Sequence, residues 1–201
     1  MKKLIVVIFA ALVAFSANAQ ALKGLNIGGG LEVNPFIYTP SDIDELKVAD
    51  GYNVFVSYPI SIAESSAIAV GLRWSQTFNL YEVLGIKNDI TRGYISLPVK
   101  FEQHFGGFFF NVGPTVSFWA LFKDRVTVKE GNIKTTVNVF NEEGNEFNRV
   151  DVGVGAELGY DWRHIRLSAG YDYGLIKGMN KNVTDVNFNR QSVRVTVAYI
   201  F

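Results

Sequence analysis

In its last third the chain alternates apolar and polar residues almost without error. That period of two restricts it to β-strands with one apolar and one polar face. Val193, Val195, Val197, Tyr199 and Phe201 share one parity, against Arg194, Thr196 and Ala198. Before them Ile165, Leu167, Ala169, Tyr171, Tyr173 and Leu175 alternate with Arg166, Ser168, Gly170, Asp172 and Gly174. Earlier still, Val150, Val152, Val154, Ala156, Leu158 and Tyr160 alternate with Asp151, Gly153, Gly155, Glu157 and Gly159. Noisier runs of the same kind occupy about 22–33, 52–62, 67–76, 92–103 and 108–119, which makes eight strands in all. Only the stretch from Ser41 to Val48 has room for a helical turn.

The lengths of the connections narrow the fold further. Short links follow the second, fourth and sixth strands, at Ala63-Glu64-Ser65-Ser66, His104-Phe105-Gly106-Gly107 and Asp161-Trp162-Arg163-His164. Long ones follow the first, third, fifth and seventh, at about 34–51, 77–91, 120–148 and 176–190. Both ends of a soluble sandwich face the same water, so nothing would sort its loops in this way. A transmembrane barrel has short periplasmic turns and long outer loops. Strands of about ten residues suit a tilted crossing of the bilayer core. The reading is all-β: an eight-stranded antiparallel up-and-down barrel with both chain ends in the periplasm.

The two faces of the strands agree with this. The polar parity is rich in glycine, including Gly28, Gly30, Gly71, Gly113, Gly153, Gly155, Gly159, Gly170 and Gly174. Glycine is unfavourable on a water-exposed strand, whereas a narrow barrel interior needs the space it leaves. Tyr52, Tyr58, Trp74, Phe108, Phe118, Tyr160, Tyr173 and Tyr199 lie near strand ends, where interfacial aromatic girdles occur. The alternation ends on Tyr199 and Phe201, like the C-terminal signal read by the barrel assembly machinery.

Residues 1–19 read as an export signal: Lys2 and Lys3, an apolar core from Leu4 to Phe15, then Ala17-Asn18-Ala19, with cleavage between Ala19 and Gln20. The apolar run is shorter than the ~20 residues a spanning helix needs. Residues 20–201 would then be one outer-membrane barrel domain. The 19 Lys+Arg balance the 19 Asp+Glu, so the basic surface of a nucleic-acid binder is missing. The absence of cysteine excludes disulfides, thiolate metal sites and a cysteine nucleophile.

Parity points nine ionisable residues inward: Glu32, Arg73, Lys100, Glu102, Asp151, Glu157, Arg166, Asp172 and Arg194. Side chains can fill the interior of an eight-stranded barrel, and charges in so small a space must pair. Glu157 with Arg166 is the first expected pair, diagonal across a turn centred on Trp162-Arg163. Such a network would plug the barrel and fix strand register. The alternatives are a gated polar path or a small bound solute. No catalytic set is visible, because the two histidines, His104 and His164, both fall at short turns and read as exposed turn residues. No enzyme, metal or cofactor is expected.

The outer loops are the natural place for binding. Arg125 to Glu130 alternates, Gly131-Asn132 can turn, and Ile133 to Phe140 alternates again. This reads as a hairpin prolonging strands beyond the membrane, able either to offer a strand edge to a protein partner or to pack on the other loops. The acidic runs Ser41 to Glu45 and Asn141 to Glu146 lack the ordered spacing of a calcium loop and read as solvated charge.

Two stretches carry a family resemblance. Tyr94-Ile95-Ser96-Leu97-Pro98-Val99-Lys100-Phe101 followed by Phe108-Phe109-Phe110-Asn111-Val112-Gly113-Pro114 resembles the outer-membrane β-barrel domain of PorT-like proteins. Val152 to Tyr160 with Leu167 to Leu175 is similar to its later hairpin. The resemblance implies a small outer-membrane barrel of OmpX- and OmpA-like architecture and, for the family's founding member, a part in a secretion system. With the turn between Phe105 and Gly106, Pro98 would face Gly113 and Pro114 would face Leu97, producing a bulge or kink.

Three functions are therefore expected of this chain in the outer membrane. The first is partner or surface binding through the loops, notably 120–148. The second is an accessory role in secretion or envelope assembly, and the third a narrow solute or ion conduit. Outer-membrane lipid, the assembly machinery and a protein at the outer loops are the expected partners.

Overall fold

A computed structural model describes residues 24–36, 47–83, 86–128, 133–138, 148–178 and 189–201. The expected export signal, the acidic runs and most of the tips of the long connections lie outside those residues. Among the described residues there are nine strands: β1 (Asn26–Phe36), β2 (Lys47–Ala63), β3 (Ser66–Val83), β4 (Ile86–Phe105), β5 (Phe108–Val128), β6 (Ile133–Asn138), β7 (Val150–Trp162), β8 (Ile165–Lys177) and β9 (Asn189–Ile200). All pair antiparallel. Eight of them close a ring in the order β1-β2-β3-β4-β5-β7-β8-β9, and β1 against β9 seals it from Asn26↔Ile200 to Val33↔Val193. β6 pairs with the far end of β5 and stands outside the ring.

Several boundaries differ from the sequence reading. β3 continues to Val83 and β4 starts at Ile86, so the expected loop 77–91 is a hairpin joined by 84–85 alone. β5 runs on to Val128 and pairs there with both β4 and β6. β2 begins at Lys47, which puts Lys47 and Val48 in a strand rather than a helical turn. Polar residues such as Gln76, Asn79 and Asp89 mark the end of the apolar band and not the end of the strand, because ladder hydrogen bonds persist wherever a partner strand continues.

The short turns are two residues each: Glu64-Ser65, Gly106-Gly107 and Arg163-His164. Gly106 takes a φ of 63°, a left-handed conformation open to glycine, and this moves the β4–β5 turn one residue along. Pro98 consequently faces Thr115 rather than Gly113. The β4–β5 ladder skips the positions between Pro98↔Thr115 and Phe101↔Val112 without changing register, since flanking pairs hold it where the prolines donate no N–H. The register shift in this pair of strands falls at Gly93/Tyr94 instead.

The barrel is inverted relative to a soluble fold. Among the described residues, eight buried side chains are apolar, Pro98 included, and twenty-two are polar or charged, while Leu31, Leu158, Leu167, Val195 and Val197 are more than half exposed on the outside. Outward aromatics gather toward the two ends. Tyr52 donates to Gln76 and Tyr171 to Gln191 at the long-loop end, and Phe108 meets Tyr160 edge-on at the short-turn end.

Candidate functional site

The inward faces of the eight ring strands surround a charged column that rises from the short-turn end. At the bottom Arg166 of β8 gives Nη1 and Nη2 to Glu102 of β4 at 3.0 and 3.1 Å. Its Nε and Nη2 reach Asp161 of β7 at 2.8 and 2.7 Å. The guanidinium also lies 4.0 Å from the Phe109 ring centre. His104 donates Nε2 to Glu102 at 2.8 Å and sits half-buried beside Asp161. It is therefore part of the clamp and not the exposed turn residue expected. His164 is exposed, donates Nδ1 to the Ile200 carbonyl at 3.0 Å, and stacks on Tyr199.

The middle of the column is a five-residue cluster. Asp172 Oδ2 accepts from Arg73 Nη1 at 2.9 Å and from Arg194 Nη1. Glu157 accepts from Arg194 Nη2 at 3.1 Å and from Ser168 Oγ at 2.6 Å. Lys100 Nζ lies 3.6 Å from both Glu157 and Asp172. Glycine makes the room: a methyl group at Gly155 would overlap Asp172, and one at Gly170 would press on the Arg194 guanidinium.

Above this cluster, Glu32 of β1 accepts hydrogen bonds from the hydroxyls of Ser75 (2.6 Å), Ser192 (2.7 Å) and Tyr94. At the long-loop end Arg190 Nε donates to Asp151 at 2.8 Å, and its guanidinium lies 5.0 Å from the Tyr94 ring centre. Trp119 packs against that ring at 5.8 Å. Burial of this much charge is tolerated because each carboxylate meets several donors. An unpaired ion in such a space would be strongly disfavoured.

All nine residues singled out by parity line the lumen, eight of them buried and Glu157 partly so. Their partners differ from the expectation in one respect. Glu157 and Arg166 do not pair, because the β7–β8 turn is centred on Arg163-His164. That places Asp161 directly opposite Arg166 and Glu157 opposite Gly170. Sequence reasoning missed Asp161, Arg190 and Arg92 as inward charges, though Arg92 and Arg190 are buried. The same alternation would have found Asp161 and Arg190 had β7 been continued to its turn and β9 begun earlier. Tyr199 and Phe201 lie at the ring closure, where Phe201 N donates to Leu25 O and Gly24 N to Phe201 O.

No group of three or more His, Asp or Glu among the described residues is placed to hold a metal ion. Below the central cluster lies a cavity of about 40 Å³, with Arg73, Lys100, Asn111, Glu157, Arg166 and Arg194 on its walls.

Known proteins agree with this architecture. The family described as outer membrane protein beta-barrel domain matches residues 18–180. Among solved structures, Ail, the attachment invasion locus protein of Yersinia pestis, in complex with the heparin analogue sucrose octasulfate, superimposes with a TM-score of 0.51 at 14% identity, covering 89% of this chain and 99% of that one. The outer membrane protein OprG from Pseudomonas aeruginosa gives 0.48 at 15%, covering 89% and 96%. Neisserial surface protein A gives 0.47 at 17%, covering 89% and 97%. At such identities the likeness concerns the fold alone. No curated protein sequence matches the chain.

Proposed function

The chain belongs to the outer membrane protein beta-barrel domain family, and from that premise we propose that it is a non-enzymatic outer-membrane barrel, plugged by its own charges, that receives a protein partner on its outer β-sheet. Residues 1–19 would be removed on export, and Tyr199 and Phe201 would present the chain to the assembly machinery.

One observation carries the binding proposal. Beyond the ring, the far ends of β3, β4 and β5 continue as a sheet and β6 adds a further strand. Among the described residues β6 pairs on one side only. Its sequence, Ile-Lys-Thr-Thr-Val-Asn, is rich in β-branched residues and has a single charge, so little discourages a further strand from adding to it. Support for the plug comes from the paired charges and from the small size of the central cavity. With so little space, planar-bilayer recordings should show no discrete conductance steps.

The experiment places a photo-crosslinking amino acid at Thr135 in intact cells. A discrete protein adduct is expected, and it should vanish when Lys134 and Thr136 are both replaced by proline, which blocks strand addition while keeping the crosslinker at Thr135 and leaving the barrel heat-modifiable on gels. Absence of any adduct, together with resistance of 120–148 to external protease, would overturn the reading. A second reading, an accessory role in secretion, follows from the PorT-like motifs around Pro98-Val99-Lys100 and Asn111-Val112-Gly113-Pro114. Secretion components in the same adducts would select it.

A further inference from the structure

The polar atoms around the central cavity do not balance. Among the described residues Arg73 Nε, Arg194 Nε and Lys100 Nζ find no hydrogen-bond partner, in residues only 7%, 2% and 3% exposed. All three side chains border the cavity. Against these three donors stand two unpartnered acceptors, Asp172 Oδ1 and Asn111 Oδ1. Asp172 Oδ1 already faces Lys100 at 3.6 Å. Within 4 Å the three cations touch only two carboxylates, Asp172 and Glu157, while Glu32 acts on Arg73 and Arg194 from farther away. The acids on either side are otherwise committed. Glu32 is satisfied by three hydroxyls, and Glu102 and Asp161 are clamped by Arg166.

We propose that this cavity binds a small monovalent anion, a halide, held by the N–H groups of Arg73, Lys100 and Arg194. A water molecule there would accept from two donors and would need acceptors for its own protons, of which Asn111 Oδ1 is the one left over. A halide accepts from all three donors, gives no proton, and lies against three cations that touch only two carboxylates. The volume of about 40 Å³ holds a few water-sized groups, and a divalent oxyanion would bring a second charge against Glu102 and Glu157 on the same walls, so sulfate and phosphate are disfavoured. The inference is independent of the outer sheet, and its test does not involve partner binding.

The full-length mature barrel is refolded from urea into detergent micelles in sodium chloride, bromide, gluconate or sulfate at equal ionic strength, so that the lumen closes in each anion. Melting is followed by the gel mobility shift. A saturable rise of about 3 °C is expected in chloride and bromide and not in gluconate or sulfate. Crystals grown in bromide should show an anomalous peak between Lys100 and Arg73. Asn111→Leu, which fills the cavity with an apolar group, should abolish the halide increment. Lys100→Met should do the same, and if it fails to fold, the Asn111 variant and the anomalous map still decide. Equal melting in all four salts, a rise as large in sulfate, or a cavity holding only water without anomalous signal would each overturn the proposal.

Discussion

Arg166→Met tests whether the short-turn end of the lumen is dry. Methionine retains much of the apolar stem and removes the charge. Four hydrogen bonds disappear, two to Glu102 and two to Asp161. The two acids then fare differently. Glu102 is 0% exposed and keeps only His104 at 2.8 Å, so stranding it should cost about 3–5 kcal/mol. Asp161, with a side chain 19% exposed, can turn to water and should add less than about 1 kcal/mol. The expected total is about 4 kcal/mol, read as a lower urea midpoint in lipid vesicles with the slope unchanged. Adding Glu102→Gln should recover about 2 kcal/mol, since the stranded charge is then gone. A loss below about 1 kcal/mol for Arg166→Met would mean that water already reaches Glu102. The plugged-interior reading would fall with it.

Three further outcomes follow from the geometry. Gly155→Ala should cost about 1–3 kcal/mol because its methyl overlaps Asp172; in an Asp172→Ala background the cost should fall below about 1 kcal/mol, and equal costs in both backgrounds would refute the overlap. Val195→Arg, at an outward position 61% exposed, should destabilise the barrel in vesicles by about 2–4 kcal/mol if that face meets lipid, whereas a water-facing position would tolerate it. Deleting Phe201 removes its backbone bonds to Gly24 and Leu25 and its ring contact with Tyr199. It should lower the folded fraction in cells more than it lowers stability after refolding in vitro, and equal effects would deny the C-terminus a role in assembly.

The fold was legible because a two-residue period needs no knowledge of partners. Val193 to Phe201 and Val150 to Tyr160 each declare their faces locally, and the lumen's charged residues follow from parity. Pairing is not local. The choice between Glu157 and Asp161 as the partner of Arg166 depends on whether the turn is centred on Trp162-Arg163 or on Arg163-His164. Arg163 takes a φ of 58° in the observed turn, a conformation that its side chain gives no reason to expect. A turn moved by one residue shifts every cross-strand partner by two. It therefore keeps each residue on its face while changing what it touches, as also happened at Pro98. The extension of β3 and β4 was hidden for a different reason. Beyond the apolar band polar residues fall at both parities, as at Gln76-Thr77, Asn88-Asp89 and Thr91-Arg92, so the alternation that marks a strand inside the membrane fades although the hydrogen bonds continue.

Glycine and charge in the lumen are one design feature. A ring of eight strands leaves little space on its axis, yet the guanidinium of Arg194 and the carboxylate of Asp172 meet near the middle of the column. They fit because Gly155 and Gly170 present no side chain where those groups lie. A hydrocarbon-filled lumen would need less room and would avoid desolvating ions. It would also remove the distinction between the two faces of each strand, and a strand shifted by one residue would then fit almost as well as the native one. With charges inside and lipid outside, the same slip would carry Arg194, Asp172 and Glu157 into hydrocarbon, at several kcal/mol each. The ion pairs need contribute little net stability to be useful here; their effect is to make the wrong register untenable.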